Sequence, residues 1–247
     1  MNSLDYLVEF QKVLADYRVS AAGKRILRQT KLVLLTAPTS IGRNTIIRQL
    51  LRTNQYHFII SDTTREPRVN DGVLERDGEV YWFRSEQEVL RDLQSGQYLE
   101  AAIIHNQQVS GISIRELELA QDENKVAITD IEIVGVGNVM AAKPDTMAIF
   151  VLPPSFEEWQ RRIKRRGHMP PEELRRRLES AAWEYSAALE HEYYHFVIND
   201  TVEDAAERIH ELASRDTPDK VIQTHARDLA ERLYIETQSF LKNLPKK

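Results

Sequence analysis

The chain contains no cysteine. This absence removes disulfide scaffolds, thiolate zinc sites and thiol nucleophiles together. Long apolar runs are missing as well: none approaches the roughly 20 residues a bilayer-spanning helix requires, so membrane insertion is not expected. Nor is there a surplus of positive charge. Lys and Arg number 33 against 38 Asp and Glu, a net charge of -5, whereas capture of a nucleic-acid backbone needs the opposite balance. The histidines are scattered with no metal-ligand spacing, and there are no internal repeats. The amino terminus, MNSLDYLVEFQKVLADY, has acids where a secretion signal needs bases and lacks a continuous apolar core. A cytoplasmic location is the expectation.

What is present is an alternation. Short apolar segments, LVLLT (32–36), FIIS (58–61), VYWF (80–83), YLEAAII (98–104), VAITD (126–130), MAIFVL (147–152) and FVIND (196–200), are mostly separated by amphipathic helical stretches. That pattern predicts an α/β protein with a largely parallel central sheet. Between about 58 and 112 the strands lie close together with one helix among them, as in a small mixed subdomain. Two segments fall outside this core of about 31–214. Residues 1–30 and 215–247 are predicted to be helical extensions, with apolar residues such as Leu4, Leu7, Leu14 and Leu229, Leu233 at helical spacing. Their apolar faces either pack on their own domain or on each other, or form a homodimer.

The segment LVLLTAPTSIGRNT (32–45) runs from a strand through a tight loop into the helical IIRQLLR. This is the layout of a phosphate-binding loop, spelled A-x-x-x-x-G-R-N where G-x-x-x-x-G-K-[ST] is usual. A strand, loop and helix start gather backbone N–H groups around a concavity, and the helix dipole adds positive potential suited to a polyphosphate. Gly42 fits such a loop, while Ala37 and Ser40 stand where glycine is common. Arg43 keeps a positive charge where lysine normally reaches the β and γ phosphates, although its planar fork is not the same point charge. Asn44 takes the place of the hydroxyl that meets Mg²⁺, and Thr45 next to it is a substitute ligand.

Farther along, Arg65 and Arg68 lie three apart beside Ser61 in the turn-prone SDTTREPR (61–68), so that two guanidinium forks can aim at one anion. Glu100 follows on an apolar strand, where its carboxylate can accept from guanine N1–H and the exocyclic amine, a pair of donors adenine lacks. Asp130 ends a strand parallel to the first, a place from which a carboxylate organises Mg²⁺ through water or holds an acceptor. Residues 161–177 hold seven arginines and one lysine, interspersed with glutamates.

In this order and near this spacing, APTSIGRNT, SDTTREPR, ITDIE and FVIND resemble the motifs of guanylate kinases over about residues 31–213. The resemblance implies a P-loop NTPase-type three-layer α/β/α fold, a mixed NMP-binding subdomain at about 58–112 and a helical lid at about 155–190. It implies transfer of the γ-phosphoryl of Mg²⁺-ATP to GMP or a related nucleoside monophosphate. By it, Ser61, Arg65, Arg68 and Tyr81 are similar to the family's acceptor-phosphate binders, and Glu100 to its guanine reader, with Asp130 beside it. Ser40, Gly42, Arg43, Asn44 and Thr45 are similar to the ATP loop, with Thr45 as the Mg²⁺ ligand. Arg162, Arg166 and Arg177 coincide with lid arginines that act with Arg43 and Asp130 in catalysis, and Asn199 with the start of the donor-base loop. The chain departs from the family after Glu100: its Tyr-Gly-Thr or Tyr-Gly-Ser triplet reads Ser110, Gly111, Ile112 after one extra residue. The loop between Arg68 and Tyr81 is about four residues longer than is typical. The competing expectation is a catalytically weak or inactive guanylate kinase-like module that binds a phosphorylated ligand or protein.

Overall fold

The computed structural model describes residues 3–70, 72–165, 167, 169–214 and 219–244. In chain order the first half runs α1 (Leu7–Ala15), α2 (Ala21–Gln29), β1 (Leu32–Thr36), α3 (Arg43–Leu51), β2 (Tyr56–Phe58), β3 (Asp62–Thr63), β4 (Val69–Asn70), β5 (Val73–Leu74), β6 (Trp82–Phe83), α4 (Glu86–Gln94), β7 (Tyr98–Ile104) and β8 (Gln108–Ser113). The second half runs α5 (Ile114–Asp122), β9 (Val126–Asp130), α6 (Ile133–Ala142), β10 (Met147–Leu152), α7 (Phe156–Arg165), α8 (Pro171–Glu190), β11 (Tyr194–Ile198), α9 (Val202–Ser214) and α10 (Lys220–Asn243). These elements form two compact units: residues 1–31, 56–127 and 138–145, and residues 32–55, 128–137 and 146–247.

The first unit is built on a four-stranded sheet in the order β6-β3-β8-β7. β7 and β8 form an antiparallel hairpin, β3 pairs antiparallel with β8, and β6 lies parallel to β3. Helix α4 begins at a capping box: the Ser85 hydroxyl accepts from Glu88 N–H while the Glu88 carboxylate accepts from Ser85 N–H. Such a reciprocal pair satisfies two donors that a helix start otherwise leaves orphaned. The buried side of α4, Val89, Leu90 and Leu93, packs with Leu4 and Phe10 of the amino-terminal segment and with Tyr98 and Val109 of the hairpin. The amino-terminal apolar stripe is therefore spent inside its own unit. The amino-terminal extension holds two helices, because Ser20 caps the second, its hydroxyl accepting from Gly23 N–H at 3.0 Å.

In the second unit the sheet runs β11-β10-β1-β9, with β1 and β11 both parallel to β10. Leu34, Leu35, Ile149 and Phe150 are fully buried at its centre, as expected of strands covered on both faces. Helix α10 starts at Asp219, whose carboxylate accepts from Val221 and Ile222 N–H at 2.9 and 3.2 Å. It packs on α8 and β11, burying Ala226, Leu229, Ala230 and Leu233. Phe240 near its end meets Phe156 edge to face.

Of the expected strands, 32–36, 98–104, 126–130 and 147–152 are found with those bounds. The others moved. FIIS is replaced by Tyr56–Phe58 and a short pairing at Asp62–Thr63, and the last strand starts at Tyr194. Among the described residues no helix is long and apolar enough to cross a membrane.

Gly96 shows how tightly the amino-terminal segment is fitted. It has φ +70°, its carbonyl accepts from Ser20 N–H at 3.0 Å, and a Cβ there would sit 2.5 Å from Ser20 N and 2.8 Å from Arg18 O. Gly96→Ala is expected to cost about 1–3 kcal/mol, read as a lower midpoint in urea unfolding. An unchanged midpoint would show that this seam yields freely.

Candidate active site

The donor loop follows β1, whose residues are all buried. Ser40 and Gly42 adopt positive φ, 67° and 102°, and Gly42 stands at the amino-terminal cap of α3. A Cβ at Gly42 would lie 2.8 Å from Asn199 Nδ2, so glycine is required by contact as well as by φ. Side chains from α7, α8 and the end of β11 hold the loop's oxygens. Asn199 Nδ2 donates to Ile41 O at 2.6 Å, and Arg162 Nη1 donates to the same oxygen at 3.3 Å. Arg162 Nη2 donates to Asn199 O at 3.0 Å, which locks the two ties together. One residue pair earlier, Trp159 Nε1 donates to Thr39 O at 2.8 Å and Arg177 Nη1 to Thr39 Oγ1 at 3.0 Å.

The carbonyls of Thr39 and Ile41 are engaged in this way, and the N–H groups of Thr45 and Ile46 donate to Gly42 O at 3.0 and 3.1 Å; the helix start at Arg43 and Asn44 adds the positive end of the α3 dipole, which favours an anion. Both arginines are steadied on their other edge by a glutamate one turn earlier, Glu158 for Arg162 at 2.9 Å and Glu173 for Arg177 at 2.6 Å. Two buried polar atoms in this region have no protein hydrogen-bond partner, Ser40 Oγ and Asn199 Oδ1. Buried groups of that kind are rare and point to a missing ligand or water.

Arg43 leans toward the end of β9. Its Nη2 lies 3.5 Å from Asp130 Oδ2 and its Nη1 donates to Ile131 O at 3.4 Å. Both side chains are about a third exposed (27% and 31%), and an ion pair so placed is worth roughly 0–1 kcal/mol. Arg43 is thus released from Asp130 at little cost. Asn44 and Thr45 are exposed on the first turn of α3.

The residues expected on the acceptor side lie in the first unit. Arg65 forms a bidentate pair with Glu75, at 2.6 and 3.0 Å, and its guanidinium stacks over Tyr81 at 4.8 Å and Phe83 at 5.4 Å. Glu75 also accepts from Arg68 N–H at 2.9 Å, and its own N–H donates to Arg68 O at 2.9 Å. Ser61 is drawn to the same place, because its carbonyl accepts from Trp82 N–H at 3.0 Å. Of the four expected phosphate binders, Arg65 and Tyr81 are in contact, Glu75 from the lengthened loop ties Arg65 to the Arg68 backbone, and Ser61 is bonded through its backbone to the residue after Tyr81. Sequence reasoning missed Glu75; nothing marks it except an acid between two arginines and a tyrosine.

Glu100 lies on β7 opposite Ile112, and burial pushes its carboxyl up to about 7. Ile112 is buried, and Ser110 Oγ pairs with Thr63 Oγ1 at 2.9 Å. The altered triplet therefore offers an apolar wall and a hydroxyl already engaged. Gly111 between them has no room for a side chain, since a Cβ would meet Glu100 O at 2.5 Å.

The sequence model of guanylate kinase matches residues 29–216. The chain belongs to the guanylate kinase family. It is 35% identical over 184 residues to the guanylate kinase of Corynebacterium diphtheriae, covering 74% of this chain and 93% of that one. To the guanylate kinase of Trichormus variabilis it is 35% identical over 181 residues, with 72% and 87% covered. Among solved structures, guanylate kinase from Anaplasma phagocytophilum aligns with a TM-score of 0.53 at 26% identity, over 82% of this chain and 94% of that one.

Within this guanylate kinase-family frame, Ser40, Gly42, Arg43, Asn44, Thr45, Asp130, Arg162, Arg177 and Asn199 belong to the second unit, and Ser61, Arg65, Arg68, Tyr81 and Glu100 to the first. Arg166 lies outside the described residues. The oxygens expected from the sequence to meet Mg²⁺, the Thr45 hydroxyl and the Asp130 carboxylate, both lie in the second unit, with Asp130 paired to Arg43. Among the described residues no three acidic or histidine side chains gather into a metal cage. Magnesium is commonly held by one or two carboxylates, water and substrate phosphates, and the hard oxygens and the unpartnered Ser40 hydroxyl suit a magnesium–polyphosphate pair.

The Arg65–Glu75 pair is well buried, at 8% and 7% exposure. Removing one member of such a pair strands the other charge. Glu75→Ala is expected to destabilise the protein by roughly 3 kcal/mol in chemical unfolding; a loss below about 0.5 kcal/mol would mean that water replaces the carboxylate.

Proposed function

We propose that the chain is a nucleoside monophosphate kinase that moves the γ-phosphoryl of ATP to GMP, acting in the cytoplasm, where both nucleotides are found. One observation carries this reading: the loop from Thr39 to Gly42 is tied back through its carbonyls by Asn199, Arg162 and Trp159. A phosphopeptide-binding module has no use for such a loop. We take residues 31–214 as the kinase portion.

Chemically, little covalent work is asked of the protein. The ATP tail lies on the loop amides and the start of α3, with Arg43 leaving Asp130 for the β and γ phosphates. Arg162 and Arg177, already on the loop, offset charge on the transferring group. On the acceptor side Ser61, Arg65, Arg68 and Tyr81 hold the GMP phosphate, and the Glu100 carboxylate reads guanine. A GMP phosphate oxygen attacks the γ phosphorus in line as the bond to the β-phosphate oxygen breaks, leaving ADP and GDP. Thr45 and Asp130 would hold Mg²⁺, which supplies neutralisation of the phosphate oxygens when bound.

A coupled ADP-release assay across GMP, dGMP, AMP, UMP and CMP tests the reading, and GMP is expected to be the best acceptor. No turnover with any of them, together with tight binding of a phosphopeptide, would hand the case to the module. Arg43→Lys is expected to lower kcat/KM by about tenfold, ~1.4 kcal/mol, because a point charge replaces a fork. A large gain would show the loop to be impaired instead of adapted.

Guanine needs Glu100 as the carboxylate, since both of its facing groups are donors. With the carboxyl raised to about 7 by burial, kcat/KM for GMP is expected to rise with pH through that value and then level. The GMP phosphate, with a second pKa of about 6, titrates in every variant alike. Glu100→Gln therefore isolates the step: a step of the same size in that variant assigns the titration to another group.

A further inference from the structure

The amino-terminal segment reaches the strand that carries Glu100. β7 is the edge of its sheet, so the outward N–H and C=O groups along it have no strand partner. At Tyr98 a single hydroxyl satisfies both: Tyr17 Oη donates to Tyr98 O at 2.6 Å and accepts from Tyr98 N–H at 2.7 Å. Burial raises the Tyr17 hydroxyl to about 12, which keeps its proton in place for that donation.

The pinned residue stands at a register change. Tyr98 pairs with Ser113, but Glu100, two residues on, pairs with Ile112, so Leu99 is the extra residue of a bulge. Bulges re-aim the side chains that follow them, and a strand slipped by one residue turns each side chain to the opposite face. Whatever holds this bulge sets the direction of Glu100. The Tyr98 side chain is held as well, its hydroxyl donating to Asp62 Oδ2 at 2.6 Å, beside Ser61. Asp62 is in turn fixed by Arg115 at 2.8 Å.

We propose that Tyr17 is a positioning residue for acceptor-base recognition: from the amino-terminal segment it fixes the bulged backbone that aims Glu100 at guanine. The inference rests on the kinase reading above and extends it, because it gives the amino-terminal helices a part in selecting the acceptor. Phe at position 17 keeps the ring in the Phe10 and Tyr98 cluster and removes only the hydroxyl.

The test compares wild type and Tyr17→Phe with GMP and with IMP, whose base lacks the exocyclic amine. In Tyr17→Phe, KM for GMP is expected to rise about tenfold while kcat and KM for ATP stay within about twofold. The preference for GMP over IMP is expected to fall by about fivefold, because a misdirected carboxylate loses the second hydrogen bond. A purely structural role would lower both acceptors equally. Hydrogen exchange of the 98–104 segment is expected to quicken in the variant, and thermal unfolding checks that it is folded. If wild type turns over neither GMP nor IMP, the kinase reading fails and this inference with it; if it turns over both without preference, the kinase reading stands and this inference fails. If the wild-type preference persists undiminished in a folded Tyr17→Phe, or exchange at β7 is unchanged, only this inference falls.

Discussion

The carbonyl oxygen of Ile41 is the point on which the donor loop turns. It accepts from the Asn199 amide and from the Arg162 guanidinium at once, and Arg162 also grips the Asn199 carbonyl. One oxygen thus binds the loop after β1 to the end of β11 and to α7. The contact also fixes the sequence: Gly42 must lack a Cβ because Asn199 already occupies that space. A loop short of the usual glycines is held in shape by side chains on its carbonyls, where a glycine-rich loop depends on backbone freedom. Ser40 accepts a positive φ of 67° within the same framework, a conformation that is strained for a residue with a side chain.

Both terminal segments use one device. β7 and β11 are edge strands, and each has an outward residue whose N–H and C=O are satisfied together by one side chain: Tyr98 by the Tyr17 hydroxyl, and Phe196 by the Gln223 amide, which accepts at 2.9 Å and donates at 3.4 Å. Exposed edges invite pairing with other chains, and covering them is a common safeguard. The terminal helices thus complete their units, and α10 runs along α8, which carries Arg177, with Arg175 of α8 donating to Leu244 O at 2.9 Å.

How much of this was legible in the sequence depended on range. β1, β9 and β10 were readable because a nearly unbroken apolar run is the mark of a strand buried on both sides, and β7 because its apolar residues flank Glu100 in a run without turn formers. The hairpin β4–β5 was not, since Val69, Val73 and Leu74 are exposed and only two residues pair on each side. β8 escaped notice because QVSGIS is half polar and contains glycine. The arginines, Glu100 and Asp130 stood out as charges beside turns and strand ends. Their partners did not: Glu75 meets Arg65 across a loop, and Trp159 meets Thr39 across 120 positions of chain. No local pattern encodes such pairings; they exist only once packing brings the elements together.

The account therefore turns on a loop whose oxygens are held back and whose amides are left for a polyphosphate. Calorimetric titration of ATP with magnesium into the purified protein tests this most directly when paired with Asn199→Ala, which removes the shortest tie. The account predicts saturable binding to the wild type and binding weakened by about tenfold or more in the variant, the worth of a buried hydrogen bond. Absence of binding by either ATP or GTP to the wild type, or equal affinity in both proteins, would contradict it.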